Sequence, residues 1–229
     1  MNVETRMSNR RVLIPLALAL LAARCSDQMG PPSAALQQPH FLRWAGSSPP
    51  QFTATGALPG RAGGGALTAS LSGGLSLNQY TATFWAVRGQ ERSVQINYLS
   101  ATGDTTWPFL RLTTRDPASV PGVGDLAPGD SVLITVTIDP YNVKVSLEPT
   151  GLVFGDPAQF QMSYGGANGD LNGDGVVDEA DAYIESQLLG LWYREGAADA
   201  WERIPAVQSL SNKSFTSALP HFCEYAVSW

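Results

Sequence analysis

The feature that most constrains this chain is a period-two alternation of apolar and polar residues, recurring in short runs from about residue 75 onward. Ala82, Phe84 and Ala86 alternate with Thr81, Thr83 and Trp85; Val94, Ile96 and Tyr98 follow, and then 109–113. Val132, Ile134, Val136 and Ile138 alternate with Thr135 and Thr137, and Val143, Val145 and Leu147 precede Phe160, Met162 and Tyr164. Successive side chains of a strand point to opposite faces, so each run offers one face to a core and one to water. Turn residues bound the runs: Arg88-Gly89, Gly103-Asp104, Pro128-Gly129-Asp130, Asp139-Pro140, 149–151 and 155–157. This spacing predicts a mainly β fold, an antiparallel β-sandwich with one buried face per sheet. After a helical interruption the β pattern returns at 201–207, 214–218 and 225–229. Gly and Pro supply 23 and 16 of 229 residues while charged residues are only 15%, which argues against a coiled coil or helical bundle.

The interruption carries the strongest chemical signal. From 170 to 181 the chain reads DLNGDGVVDEAD, with oxygen side chains at loop positions 1, 3, 5, 9 and 12. These are Asp170, Asn172, Asp174, Asp178 and Asp181, and position 7 offers the carbonyl of Val176. Alternate side chains of such a loop converge on one ion, and Gly175 at position 6 permits the sharp turn. Val176 is expected to pack inward while its carbonyl faces the metal. Hard oxygen donors in a flexible loop suit Ca²⁺ better than transition metals. The competing reading is a solvated Asp/Asn/Gly turn with no metal. Beyond the loop, Ala180, Ile184 and Leu188 mark one face of a helix over 179–189, with Gly190 at its C-terminal cap. Position 12 is Asp rather than Glu, and a strand precedes the loop where an EF-hand has a helix. In both respects 169–190 resembles a dockerin repeat, a calcium loop plus helix. Dockerins carry two such repeats and dock on protein partners; one copy is present here.

The N-terminal stretch has a different character. Arg6, Arg10 and Arg11 precede an apolar run of 12 residues over 12–23, too short to cross about 30 Å of hydrocarbon at ~1.5 Å per residue. This predicts a signal peptide over 1–24. The following LAARCSD resembles the lipobox of bacterial lipoproteins, with Arg24 where that family has a small residue; the resemblance implies lipidation of Cys25, and cleavage after Ala23 is the alternative. Residues 25–74 are rich in Pro, Gln, Ser and then Gly and Ala, and read as a flexible tether, with Phe41, Leu42 and Trp44 as apolar exceptions that are candidates for docking on the domain. The sandwich is then expected over 75–229. Setting aside 1–24, which hold four Arg and one Glu, leaves 10 basic and 19 acidic residues, a net charge of −9. Nucleic-acid binding needs a basic patch, so that class is excluded.

Ser146-Leu-Glu-Pro-Thr-Gly-Leu-Val-Phe154, with the run 157–164, resembles the second half of a ZU5-type domain. Residues 217–222 with Tyr225-Ala-Val are similar to the ending of related bacterial sandwich domains. The likeness is carried by 143–164 and 213–229, and the first half of the chain departs from it. ZU5 domains are interaction modules, so the resemblance implies a binding or structural role.

No nucleophile elbow, zinc-protease helix, phosphate loop or dinucleotide fingerprint occurs. His221 and Cys223 read as structural residues of the last strands. Trp85, Trp107, Trp192 and Trp201 are candidates for a carbohydrate-stacking platform, though aromatics at alternating strand positions are more often core. The expectation is a non-enzymatic exported protein of the bacterial cell envelope, lipid-anchored at an outer membrane or surface. It binds a protein or polymer there, with calcium as a structural ion. The alternatives are a dockerin-like docking module of a surface assembly and a carbohydrate-binding or carbohydrate-active protein.

Overall fold

The computed structural model describes residues 39–46, 49–56, 75–76, 80–99 and 106–229. In chain order the strands are β1 (Phe52–Gly56), β2 (Leu75–Ser76), β3 (Thr81–Val87), β4 (Arg92–Leu99) and β5 (Thr106–Thr114). There follow β6 (Asp116–Val120), β7 (Gly124–Asp125), β8 (Ser131–Ile138), β9 (Lys144–Glu148) and β10 (Val153–Ser163). After a short helix, α1 (Glu179–Tyr183), and a π-helical turn (Ile184–Leu188) come β11 (Gly190–Arg194), β12 (Glu202–Arg203), β13 (Val207–Ser209), β14 (Ser214–His221) and β15 (Glu224–Ser228).

These strands form two antiparallel sheets, the mainly β sandwich expected from the alternation. The first runs β13-β14-β10-β5-β4-β1-β2, with β6 also paired to β10 and β7 to β6; the second runs β12-β11-β15-β9-β8-β3. Alternation sets the core as period two requires. Phe84, Ile134, Val136 and Leu147 of the second sheet are fully buried, as are Ile96, Leu112 and Met162 of the first. Thr83, Thr135 and Ser146 take the other face of the second sheet. One irregularity aims an aromatic side chain. In the β4–β5 pair Ile96 faces Leu110 but Asn97 faces Pro108, so Phe109 is an extra residue in a bulge. Both Phe109 and Leu110 are thereby buried, although they are sequence neighbours. Pro108, which has no N–H to give a ladder, stands beside the bulge.

The sandwich takes in described residues that precede 75: within the expected tether of 25–74, residues 39–46 and 49–56 pack with the sheets, and the rest of that span lies outside the described residues. Both stretches belong with the sheets in one compact unit. Leu42, Trp44 and Phe52 are buried. The Leu42 N–H donates to the Val227 carbonyl at 3.2 Å, and the Val143 N–H donates to the Leu42 carbonyl at 2.8 Å. Trp44 packs edge-on against Phe52 and Phe109 at 5.3 and 4.9 Å between ring centroids. Burial of large aromatics outweighs the Pro/Ser-rich composition around them. The expected signal peptide, 1–24, and Cys25 lie outside the described residues.

Two further expectations change. The run 201–207 is not one strand: β12 belongs to the second sheet and β13 to the first, and Ile204-Pro205-Ala206 crosses between them. Pro205 cannot donate to a ladder, which suits a crossing point. Gly190 is not a helix cap but the first residue of β11, paired with Ser228. The helix ends instead in its π turn, closed by the Leu189 N–H on the Ile184 carbonyl at 2.9 Å. One extra residue per turn moves the inward position from Leu188, 37% exposed, to Leu189, 1% exposed.

Candidate calcium loop

The acidic segment leaves β10 and folds as a chain of side-chain-to-backbone turns. Short Asp and Asn side chains reach their own following N–H groups, which favours turns over helix or strand. Asp170 closes the first half: its Oδ1 accepts the N–H groups of Gly173 and Asp174 at 2.7 and 3.1 Å, and its Oδ2 accepts that of Gly175 at 2.8 Å. Asn172 Oδ1 accepts the Asp174 N–H, and Asp174 Oδ1 accepts the Val176 N–H, both at 2.9 Å. Gly175 has a φ of 89°, the left-handed turn that the sequence reading assigns to it.

The second half is built around the start of α1. Asp178 is the N-cap, accepting the Ala180 N–H at 2.8 Å, and Asp181 reaches back to the Asp178 N–H at 2.9 Å, completing a capping box. The other oxygen of Asp181 accepts the Leu171 N–H at 2.6 Å and the Asn172 N–H at 3.2 Å. Asp181 is 3% exposed. The Asp178 N–H holds its carboxyl below the usual range, against the opposing effect of burial, with the Leu171 and Asn172 N–H groups adding to the lowering. Position 12 thus links the two ends of the loop.

Leu171, which the sequence reading passes over, is the anchor. Its side chain is buried in the core, its N–H is held by Asp181, and its carbonyl accepts the Trp229 indole N–H at 3.2 Å. The expectation that Val176 packs inward is overturned: Val176 is 58% exposed. With Leu171 already seated in the core, the loop has its apolar anchor at position 2, and position 7 faces solvent. The D-x-x-D spacing of 178–181 is a visible capping signal in the sequence; the role of Trp229, 58 residues away, carries none.

The donor set of the loop is all oxygen: four carboxylates, the Asn172 amide and the Val176 carbonyl. Among the described residues none of the four carboxylates is within ion-pair distance of a Lys or Arg. An ionised carboxylate has about four acceptor positions. Asp174 and Asp178 use two each, and Asp170 and Asp181 three each. Acceptor capacity for a hard cation therefore remains on every one. The carboxylates are turned toward backbone N–H groups, and among the described residues no three Asp, Glu, His or Cys side chains gather as a ready metal cage.

The other residues singled out in the sequence occupy separate places. Cys223 is buried at the β14–β15 turn, and burial pushes its thiol up to about 12. The His221 carbonyl accepts the Tyr225 hydroxyl at 2.8 Å. The four tryptophans do not form one platform: Trp107 lies in the first sheet, Trp85 and Trp192 in the second, on β3 and β11 with three strands between them. Trp192 and Trp201 share a cleft. No helix among the described residues is long and apolar enough to cross a membrane. Comparison with protein families, curated proteins and solved structures returns no match for this chain.

Proposed function

We propose that the chain is a non-enzymatic binding or structural module of the bacterial cell envelope, exported and lipid-anchored through Cys25, whose sandwich is stabilised by Ca²⁺ at the 170–181 loop. The observation that carries the calcium reading is the loop itself: four carboxylates with spare acceptor positions, without a cationic partner among the described residues, gathered within twelve residues. The ion takes oxygens of Asp170, Asn172, Asp174, Asp178 and Asp181 and the carbonyl of Val176. It offsets the mutual repulsion of the carboxylates and ties β10 to α1. The export and anchoring parts of the reading are supported by the sequence of 1–25 alone. Calorimetric titration of chelator-treated protein with Ca²⁺ tests the loop. One saturable site, lost in Asp170→Ala, is expected; absence of Ca²⁺ heat would refute it.

A second reading, a dockerin-like docking module, is favoured by one observation: Tyr183 and Leu188 of the helical segment are 58% and 37% exposed. Under that reading Tyr183→Asp abolishes capture of a protein partner from envelope extract while the melting temperature is unchanged. Retained capture discards it.

A further inference from the structure

On the outer face of the second sheet lies a cleft of about 460 Å³ that the calcium reading does not use. Its base is Trp192 of β11. Trp192 pairs across the sheet with Ala226 on one side and Arg203 on the other, and its indole N–H is fixed on the Ser228 carbonyl at 3.0 Å. Ala226 is a small neighbour, and so leaves room on the sheet for the larger ring.

The wall is the loop between β11 and β12, and Arg194 holds it in place. The Arg194 guanidinium lies 4.9 Å from the centroid of the Trp201 ring. Its Nε pairs with Glu224 at 2.6 Å, and its Nη1 donates to the Ala197 carbonyl at 3.1 Å. An arginine fixed by a carboxylate, a carbonyl and an aromatic face has little freedom left, so the wall is pre-formed. Trp201 is held further by Phe41, edge-on at 5.0 Å. The wall is lined by Ala197, Ala198 and Ala200, whose short side chains leave the cleft open.

The rim carries hydrogen-bonding groups of both kinds. Asp199 and Glu202 supply carboxylate acceptors, and neither is within ion-pair distance of a Lys or Arg among the described residues. Arg203 supplies donors: one nitrogen is fixed on the Leu189 carbonyl at 2.8 Å, leaving most of its five N–H groups for a ligand. Its side chain lies across Gly190, where any Cβ would strike it.

Aromatic surface beside convergent donors and acceptors, in a pre-formed cleft of this size, is the arrangement of a small-molecule site. A flat apolar ligand would leave the charged rim unpaired, and a strongly charged one would meet both signs. A ring with C–H groups on its faces and hydroxyls around its edge satisfies both parts. We infer that this cleft binds a neutral saccharide, its ring stacked on Trp192 and its hydroxyls bonded to Asp199, Glu202 and Arg203. None of the residues lining the cleft belongs to the 170–181 loop.

The test is titration of the full chain with cellohexaose, xylohexaose, maltohexaose and chitohexaose, read by calorimetry and tryptophan fluorescence. At least one is expected to bind with a Kd below about 1 mM. Trp192→Ala should weaken that binding at least about tenfold. Ala198→Trp, which keeps Trp192 and fills the cleft from an exposed position, should do the same and decides the matter if Trp192→Ala does not fold. Binding of none of the four, or binding undiminished in a folded cleft variant, overturns the inference. Calcium titration of the same samples reads the loop separately, so failure of one site is distinguishable from failure of the other.

Discussion

The carboxylate of Asp181 accepts the backbone N–H of Leu171, ten positions earlier, at 2.6 Å, closing the loop onto a side chain seated in the core. The same carboxylate returns to the Asp178 N–H at the start of α1. Asp178, by contrast, caps one helix turn, accepting the N–H groups of Ala180 and Asp181. Asp181→Ala strands three donors and is expected to lower the melting temperature more than Asp178→Ala, whose cap loss is worth about 1 kcal/mol. Thermal melts of the two variants without calcium check the order. Equal losses would mean that Asp181 acts only as a cap.

Trp44 anchors the segment that precedes β1. It is 6% exposed, packs on Phe52 and Phe109, and donates its indole N–H to the Asp139 carbonyl at 2.9 Å. Trp44→Ala is expected to cost about 3–5 kcal/mol in urea unfolding, the range for a large aromatic removed from a core. A tether residue would cost almost nothing.

The π turn sets which leucine faces the core. Leu189→Ala is expected to destabilise by about 2–5 kcal/mol and Leu188→Ala by less than about 0.5 kcal/mol. A regular helix through 188 would reverse that order, and chemical denaturation of the two variants decides.

Asp139 gives the fold an acid-sensitive point. Burial raises its carboxyl, but the N–H groups of Tyr141 and Asn142 and the Lys144 ammonium at 3.2 Å outweigh burial and leave it below its ordinary 3.8. In the window between the native value and 3.8 the unfolded chain binds more protons, so stability rises with pH there. The contribution is complete above the unfolded value and is lost as pH falls through the lower native one. Urea midpoints measured from about pH 2 to 6 should show a steeper acid decline for the native protein than for Asp139→Asn. Identical slopes would contradict the assignment.

The sandwich is legible in the sequence where strands pair regularly on a buried face, as β3, β8 and β9 do. Their alternation survives because no bulge or crossing interrupts it. It is hidden where a local signal has two meanings. Gly190 reads as a helix cap and begins a strand. Leu42, Trp44 and Phe52 are submerged in Pro, Ser and Gly, although their size alone drives them into the core. The loop is legible as an oxygen-rich turn because Asx side chains act on their immediate neighbours. Its anchoring is not, because Leu171 depends on Trp229, brought to it only by the fold. The inward placement of Val176 fails for the same reason: the core contact belongs to Leu171.

Calcium bound at 170–181, as proposed, stabilises this sandwich, and its melting temperature in saturating Ca²⁺ against EGTA reads that stabilisation. At about one hundred times the Kd, an ion bound only by the native state adds about 2.7 kcal/mol. For a chain of this size that corresponds to a rise of roughly 5–10 °C. The rise should vanish in Asp170→Ala. The same melting temperature in Ca²⁺ and EGTA would mean that the loop holds no stabilising calcium.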